Sequence, residues 1–325
     1  MIILGVESTA HTFGVGIVTD KGKILANVKD SYTSKDVGMI PHEIAEHHEK
    51  VAKKILKGAF KAAKVEWGDI DLIAYSAGPG LDPALWKGYH IVKEWAKEHK
   101  KKLVGVNHCC AHLSIGKLWN KLKDPVYLYV SGVNTQIIVQ ESKNGLKKTG
   151  EGKYHVLGET LDIGLGNMLD KFGRILELGF PAGPKIEELA KNGKYIELPY
   201  IVKGMDVSFS GLLTKAQQLI ERKQATKDDL CFSLQETAFA MCAEVAERAL
   251  AHSGKKELLL VGGVGANKRF CAMLDLMCKE RNAKFYQVPM DLAGDQGAMI
   301  AWEGFLRKDS YGDIEVNPHW RADEV

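Results

Sequence analysis

The sequence lacks the features that would place the protein in a membrane or in a disulfide-stabilised class. No segment approaches 18 apolar residues, the length that a membrane-spanning helix needs, and the N-terminus leads directly into a strand pattern rather than a signal peptide. The six cysteines contain no Cys-x-x-Cys pair, so reduced thiols fit better than a disulfide framework. We therefore expect a cytoplasmic protein with no membrane segment.

The sequence also has little net charge. Its 44 Lys and Arg against 41 Asp and Glu give +3, which is too small to require a nucleic-acid partner. The lysines are nevertheless clustered at positions 97–102, 117–123 and 143–148. Such runs are usually solvated surface, and contact with a phosphate backbone is the alternative. With 45% hydrophobic and 26% charged residues over 325 positions, the chain has the profile of a globular protein with room for two domains.

The same order of apolar segments and turns occurs twice along the chain. In the first half, a three-stranded pattern in residues 1–27 is followed by a helical pattern and by an apolar strand at 70–76, which stops at a glycine-rich break. Residues 126–157 repeat the three-stranded pattern, and an apolar strand at 257–261 again stops at a glycine-rich break. This repetition predicts an α/β fold of duplicated actin/Hsp70/sugar-kinase-like domains that face each other across a nucleotide cleft.

The duplication suggests where the domains begin and end. We assign residues 1–124 to the first actin-like copy and residues 125–325 to the second. The second copy carries a helical insertion at about 158–229, which interrupts the repeated pattern. We expect the final helix, at about 295–307, to pack back on the first copy.

Two motifs near the junction of the copies could carry chemistry. His108-Cys-Cys-Ala-His112 places two histidines four positions apart, so on a helix they share one face and could share a metal ion. The strand pattern that begins at Tyr127 runs into a turn of small polar residues, where backbone N–H groups could close on phosphate. Each motif also has an ordinary interpretation, namely two exposed polar histidines and a plain hairpin.

The motifs as a set resemble one family over nearly the whole chain. It is the universal tRNA threonylcarbamoyladenosine transferase family, formerly known as O-sialoglycoprotein endopeptidase and found in the KEOPS complex of archaea and eukaryotes. The matching segments are, in chain order, Glu43–His48, Gly78–Leu81, Val106–Cys109, Ala111–His112, Tyr129–Gly132, Asn134–Gln136, Gly158–Ile163, Gly204–Gly211, Gln235–Phe239 and Val261–Val264. The ending from Asn317 to Val325 is similar to that of the archaeal branch.

The resemblance implies a metal ion and a nucleotide. One iron or zinc ion per subunit would be held by His108, His112 and Asp295, with Tyr129 close enough to ligate or orient. Two imidazoles with a carboxylate and a phenol suit either metal. The ligand would be an adenine nucleotide, threonylcarbamoyl-adenylate or ATP. It would be bound by Tyr129, Val130, Ser131, Gly132, Val133, Asp170, Gly183, Glu187 and Asn267.

The implied reaction transfers threonylcarbamoyl from its adenylate to the exocyclic amine of the adenosine next to the anticodon of tRNA. An adenylate is a mixed anhydride whose carbonyl is already activated, so the reaction needs no enzyme nucleophile, and no catalytic residue is implied beyond the metal site. The implied partners are tRNA and other KEOPS subunits, including a small atypical kinase and a small dimerising subunit.

The chain departs from the family pattern at Leu81-Asp82-Pro83 and Leu85-Trp86-Lys87, which replace smaller residues after the first glycine-rich break, and at four further positions. Val133 and Ala182 stand where the family has glycine, and Lys268 and Gln296 stand where it has asparagine. If residue 133 needs a positive φ, valine costs about 1–2 kcal/mol or shifts the loop. The departures predict weaker or reshaped nucleotide binding, and they leave open a nucleotide-binding scaffold subunit without activity.

Two other classes of enzyme fit the sequence less well. A metalloprotease would carry His-Glu-x-x-His with a general-base glutamate, but the residues between His108 and His112 are Cys-Cys-Ala. A small-molecule kinase of the same fold would need an acidic residue such as Glu7 to assist ATP chemistry, and the histidine pair would have no role. The transferase is therefore the main prediction, and the scaffold is the alternative.

Overall fold

The computed structural model describes residues 1–33, 40–141, 152–310 and 312–325. Its main strands and helices are, in chain order, β1 (Ile2–Glu7), β2 (Thr12–Thr19), β3 (Ile24–Ser31), α1 (Pro41–Ala63), β4 (Leu72–Gly78), α2 (Asp82–His99), β5 (Lys102–Asn107), α3 (His108–Asn120), β6 (Val126–Val130), β7 (Thr135–Gln140), β8 (Tyr154–Glu159), α4 (Leu165–Ile175), α5 (Gly183–Ala190), β9 (Val202–Lys203), β10 (Asp206–Val207), α6 (Ser210–Glu221), α7 (Lys227–Ser253), β11 (Glu257–Val261), α8 (Lys268–Glu280), β12 (Lys284–Gln287), α9 (Met290–Ala293) and α10 (Gly297–Arg307). The chain divides into two compact units. The first contains Met1–Trp119 and Gly294–Val325, and the second contains Asn120–Ser142 and Tyr154–Ala293.

The first unit is built on a five-stranded sheet in the order β3-β2-β1-β4-β5. Strands β1 to β3 form an antiparallel meander, and β4 and β5 continue the sheet parallel to β1. Burial is nearly continuous along β1, β2 and β4, as expected for a sheet that is covered on both faces. Helices α1 and α2 pack on the sheet and on each other, and α10 packs against β1, β2 and β4.

The backbone of helix α10 lies directly against the backbones of β1 and β2. A Cβ atom placed on Gly5 would lie 2.2 Å from the nitrogen of Ala301, and one placed on Gly16 would lie 2.0 Å from the nitrogen of Ala298. A Cβ on Gly297 would lie 2.1 Å from the nitrogen of Gly16. Because these separations are far below van der Waals contact, only glycine at these positions permits the approach.

We predict that Gly16→Ala destabilises the protein by about 2–3 kcal/mol, because the added methyl group overpacks the contact between β2 and α10. The matched control is Gly58→Ala on α1, where a Cβ would meet only Val28 Cγ1 at 3.4 Å. That change should stabilise the helix by about 0.5–1 kcal/mol. Denaturant unfolding of both variants measures the two effects, and equal stability of the Gly16 variant and wild type would contradict the prediction.

The second unit repeats the sheet of the first. Its five strands lie in the order β12-β11-β6-β7-β8, with β6 to β8 in an antiparallel meander and β11 and β12 parallel to β6. The break after β11 contains Gly262 at φ +95°, where a Cβ would lie 2.3 Å from the carbonyl oxygen of Val130. Two sheets with the same strand order confirm the predicted duplicated α/β fold.

Asp162 joins the loop after β8 to the start of α6. Its carboxylate accepts hydrogen bonds from the backbone N–H groups of Ile163 (2.7 Å), Phe209 (2.9 Å) and Ser210 (2.9 Å), and from the hydroxyl of Ser208 (2.6 Å). Burial alone would raise the pKa of Asp162, but these four donors outweigh it and hold the pKa well below the ordinary value.

We predict that Asp162→Asn lowers the free energy of unfolding at pH 7 by about 1–2 kcal/mol, a range discounted because the side chain is largely exposed to solvent. A depressed folded-state pKa adds stability above the ordinary value of 3.8, and this stability is lost as the pH falls below it. The difference between variant and wild type should therefore be full at pH 7 and shrink below pH 4. Thermal unfolding across pH measures it, and a difference that grows in acid would contradict the prediction.

The structure also bears on the thiols and on membrane insertion. The six cysteines, all among the described residues, form no disulfide. Burial raises the pKa of Cys231, Cys242 and Cys278 to about 12, so these thiols stay protonated near neutral pH.

Within the described parts of the chain, no helix has both the length and the apolarity to cross a bilayer. The lysines predicted at 143–148 fall outside the described residues.

Candidate metal centre and nucleotide-binding loops

His108 and His112 project from the first turns of α3, which begins directly at the end of β5. The two rings meet edge to face, with centroids 4.7 Å apart. Only 7% of His108 and 2% of His112 is exposed, so the interpretation of two solvated histidines does not hold. The i, i+4 spacing gives one shared face, as predicted.

Asn107 fixes the start of this helix. Its Oδ1 accepts a hydrogen bond from the backbone N–H of Cys110 at 3.1 Å. Its Nδ2 donates to the carbonyl oxygens of Trp320 at 3.0 Å and Arg321 at 3.2 Å. A single buried amide therefore connects the histidine-bearing helix to the last residues of the chain.

Asp295, which precedes α10, completes a group with the two histidines. Its Oδ1 lies 3.3 Å from Nε2 of His112 and 3.6 Å from Nε2 of His108. One ligand atom from each of the three residues lies within 4.8 Å of the others. The structure thus brings together residues that 183 positions of sequence separate.

Glu7 and Thr9 also belong to this group, and the sequence analysis did not place them there. Oε2 of Glu7 lies 2.9 Å from Nδ1 of His108, and Oε1 of Glu7 accepts hydrogen bonds from the N–H (2.7 Å) and hydroxyl (2.5 Å) of Thr9. The signal was an acidic residue at the carboxyl end of buried β1, an edge where α/β sheets place functional groups. The sequence analysis considered Glu7 only as a kinase residue.

The charges in this group are strongly coupled. Burial disfavours a charged imidazole, but the charge and hydrogen bond of Glu7, aided by Asp295, outweigh it and raise the pKa of His108 to about 9. Burial and the nearby His108 lower the pKa of His112. Burial would raise the pKa of Asp295, but its hydrogen bond with His112 and the charge of His108 hold it below its usual range. A metal ion that binds His108 must displace a proton, so the affinity should rise with pH up to about 9.

The arrangement fits a metal ion. Ligand atoms at about 2.0–2.2 Å from one ion lie about 3–4 Å apart in a tetrahedral site, close to the separations seen here. A histidine ligand usually gives its other ring nitrogen to a carboxylate, which fixes the ring and its tautomer, and Glu7 is positioned to do this for His108. Two imidazoles and a carboxylate suit iron or zinc. Tyr129, the fourth predicted ligand, is buried on β6 in the second unit, and its role remains a prediction.

The predicted phosphate loop after β6 is closed by its own hydrogen bonds. Ser131 N–H donates to the carbonyl oxygen of Asn134 (2.8 Å), and Asn134 N–H donates to Oγ of Ser131 (3.0 Å). The carbonyl oxygens of Ser131 and Gly132 accept the N–H groups of Gly166 (3.0 Å) and Asn167 (2.8 Å) at the start of α4. The loop from Val130 to Asn134 is thereby anchored to α4. The N–H groups of Ser131 and Asn134 in the loop, and of Gly166 and Asn167 in α4, all donate to acceptors within the protein.

The predicted ribose-binding carboxylates each make one contact that supports a loop or a helix start. Oδ1 of Asp170 on α4 accepts the N–H of Ala182 at 2.9 Å, directly before Gly183 begins α5. Oε1 of Glu187 on α5 accepts the N–H of Lys268 at 2.9 Å, the first residue of α8. Both contacts place a carboxylate next to a helix N-terminus, where the helix dipole favours negative charge.

Asn267 caps helix α8. Its Oδ1 accepts the N–H of Phe270 at 3.0 Å, and its Nδ2 donates to Oε1 of Gln235 at 3.0 Å. Because Lys268 follows it directly, Asn267 lies beside the contact of Glu187. The structure therefore brings Glu187 and Asn267 to the same helix start.

The backbone accommodates the departures at Val133, Ala182, Lys268 and Gln296. Val133 does not adopt a positive φ, so the strain considered from the sequence is absent. Ala182 has helical angles (φ −87°, ψ −24°) at the start of α5, and Lys268 contributes its backbone N–H. Gln296 caps α10 by accepting the N–H of Met299 at 3.0 Å, a role that asparagine also performs.

The duplicated α/β fold of this chain is shared with solved structures of low sequence identity. HypF from T. kodakarensis has a similar structure, with a TM-score of 0.65 and 17% identity over 95% of this chain and 48% of that one. Component A of (R)-2-hydroxyglutaryl-CoA dehydratase from Acidaminococcus fermentans has a TM-score of 0.56 and 12% identity over 94% of this chain and 98% of that one. At such identity the likeness shows the fold alone.

The sequence comparison is more specific. Residues 23–302 match the family described as TsaD, tRNA N6-adenosine threonylcarbamoyltransferase. Proteins of that name from Thermococcus kodakarensis and Thermococcus sibiricus are 51% and 52% identical over 100% of this chain and 98% and 99% of their own lengths. A "probable bifunctional tRNA threonylcarbamoyladenosine biosynthesis protein" from Methanocaldococcus jannaschii is 47% identical, and the chain spans 60% of its length. The chain belongs to the tRNA N6-adenosine threonylcarbamoyltransferase family.

We predict that the purified protein holds about one iron or zinc ion and that His108→Ala/His112→Ala abolishes this binding. Glu7→Gln should weaken metal affinity about 10–100-fold, because glutamine still accepts a hydrogen bond from His108 but lacks the charge. Elemental analysis and competition with a chelator measure both effects, with exposed His155→Ala as control. Metal that remains stoichiometric in the double variant would rule the site out.

Proposed function

We propose that this chain transfers threonylcarbamoyl from threonylcarbamoyl-adenylate to the exocyclic amine of the adenosine next to the anticodon of tRNA. The observation that carries the proposal is the full-length identity of about half to proteins named tRNA N6-adenosine threonylcarbamoyltransferase. The largely buried group of His108, His112 and Asp295 supports it, since ionisable side chains with strongly perturbed pKa values are concentrated at functional sites.

The chemistry needs positioning more than a nucleophile. The amine nitrogen attacks the carbamoyl carbon of the mixed anhydride, the bond from that carbon to the phosphate oxygen breaks, AMP leaves, and the amine loses a proton. Holding amine and carbonyl in the correct geometry supplies much of the acceleration. A bound iron or zinc ion would act as a Lewis acid toward phosphate or carbonyl oxygen. His108, His112 and Asp295 would hold it, Tyr129 would ligate or orient, and Glu7 orients His108.

The nucleotide would bind to the loops of the second unit. Tyr129 to Val133 lie at the end of β6 and in its anchored turn, and Gly183 begins α5. Asp170 and Glu187 would accept hydrogen bonds from the ribose hydroxyls, with Asn267 beside them. Each carboxylate has two oxygens with several acceptor sites, so a structural hydrogen bond does not prevent a second one to a ribose.

The proposed partners are tRNA and the subunits of a KEOPS-type complex. A small atypical kinase and a small dimerising subunit would act in trans. The relatives named as bifunctional biosynthesis proteins support an association with a second activity. The net charge of +3 indicates that this chain alone neutralises few phosphates. Its affinity for tRNA should therefore be low and should fall as the salt concentration rises.

We predict that His108→Ala lowers the rate of tRNA modification about 100-fold or more in a reconstituted complex, because a Lewis acid supplies several kcal/mol of transition-state stabilisation. The measurement is mass spectrometry of tRNA nucleosides after incubation with carbamoyl donor, threonine, ATP and the partner enzymes. His155→Ala is the control.

Two results would contradict the proposal in different ways. A His108→Ala complex that modifies tRNA as fast as wild type would show that the group of His108, His112 and Asp295 is not needed for the reaction. A wild-type chain that assembles with its partners but yields no modified adenosine would favour the non-catalytic scaffold.

A further inference from the structure

Helix α1 carries a row of lysines along its exposed face. Four lysines of the helix and Lys64, the C-cap residue directly after it, follow one another at intervals of four, three, four and three positions, and all five are exposed. We call them the α1 lysine row, and its members are Lys50, Lys54, Lys57, Lys61 and Lys64. Spacing of three and four positions keeps side chains on one side of a helix. At 1.5 Å per residue, the row is about 21 Å long, with members about 4.5–6 Å apart along the axis.

The row has charge of one sign only. No aspartate or glutamate occurs between Lys50 and Lys64, and exposed Lys53 adds a sixth lysine. Among the described residues, only Lys54 of the row forms an ion pair, with Asp30 at 3.9 Å. An ordinary solvated helix face mixes both signs, because like charges four positions apart, such as Lys50 with Lys54, repel and destabilise the helix. A face with one ion pair for five lysines is suited to an anionic partner.

The row ends at a cavity with aromatic walls. The cavity is a shallow, open depression of about 670 Å³, and its lining includes Phe60, Lys61, Lys64, Glu66, Trp67 and His99. The rings of Trp67 and His99 stack with centroids 4.0 Å apart and planes 14° from parallel. Phe60 meets Trp67 edge to face at 4.9 Å. Aromatic rings beside lysines are the pattern with which proteins bind single-stranded RNA.

The lysine cluster at 97–102 extends the same surface. His99 is the last residue of α2 and lines the cavity, so Lys97, Lys100 and Lys102, which are exposed, lie near in sequence to the cavity wall. Helices α1 and α2 pack on each other. Positive charge therefore lies near the cavity on α1 and at the end of α2, beside the carboxylates of Glu66 and Glu98.

We propose that the α1 lysine row and the adjoining cavity bind the tRNA substrate, the row along the phosphate backbone and the cavity around one unstacked base. This rests on the proposed function, which makes tRNA the substrate. Charge complementarity favours RNA over an acidic protein, because phosphates repeat along a strand as the lysines repeat along the helix, and because aromatic walls add stacking.

The experiment measures binding of unmodified tRNA to the full chain over a series of salt concentrations. Changing Lys50, Lys54, Lys57 and Lys61 to glutamine keeps helix propensity and removes four charges. If each lysine meets one phosphate, the slope of log affinity against log salt should fall by about 3. The control removes four exposed lysines of the second unit, Lys191, Lys203, Lys279 and Lys284, and should leave the slope unchanged.

The cavity is tested with His99→Ala and Trp67→Leu, with thermal unfolding to confirm the fold. Either change should weaken tRNA binding about fivefold or more, because a stacking surface is lost, and should leave the salt slope unchanged. Full tRNA affinity in both the His99→Ala and the Trp67→Leu variant would overturn the cavity assignment. If the quadruple lysine variant nevertheless has a smaller salt slope, the proposal is limited to the α1 lysine row.

Separate outcomes distinguish this proposal from the transferase assignment. If wild type modifies tRNA and the quadruple variant keeps its salt slope, the α1 lysine row does not bind tRNA and the transferase assignment stands. If the variant keeps its slope but no longer assembles with a partner subunit, the row is a protein interface instead. If wild type yields no modified adenosine, the transferase assignment fails, and the slope still decides whether the row binds RNA.

Discussion

The approach of α10 to the glycines of β1 and β2 is the constraint on which the group of His108, His112 and Asp295 depends. Because Gly5, Gly16 and Gly297 permit backbone contact, α10 has one position against the sheet. Asp295 lies two residues before α10 and is fixed with it. Glu7 ends β1, and His108 follows β5, so the same sheet positions all three groups. A small shift of α10 would separate the partly buried carboxylate of Asp295 from two buried imidazoles, which is costly in a low-dielectric interior.

Much of the fold could be predicted from the sequence, because buried apolar residues recur along the chain with the period of a helix or a strand. The helix predicted from Pro41 to about Ala63 is α1, and the apolar strand predicted at 70–76 is β4 at Leu72–Gly78. The order of strands follows from the repeated pattern, since a meander followed by a crossover to a parallel strand has few arrangements.

The candidate site was harder to predict, because its contacts are long-range. The spacing of His108 and His112 is local and could be read directly. Asp295 entered only through the resemblance, and the partnership of Glu7 with His108 spans 101 positions. Asp170 and Glu187 show another limit: a carboxylate that caps a helix and one that meets a ribose have the same sequence signature. The exposed lysines of α1 were overlooked because an amphipathic helix explains their spacing.

The first unit is discontinuous along the chain, and this affects the order in which the protein can form during synthesis. Its sheet is complete by Asn107, yet the amide of Asn107 bonds to Trp320 and Arg321, and α10 covers β1 and β2. Nascent chains usually fold their N-terminal domains first. Here the second unit ends at Ala293 and can fold while the first still waits for Gly294–Val325. Asp295 therefore leaves the ribosome only after the whole of the second unit, and a growing chain cannot bring His108, His112 and Asp295 together before then.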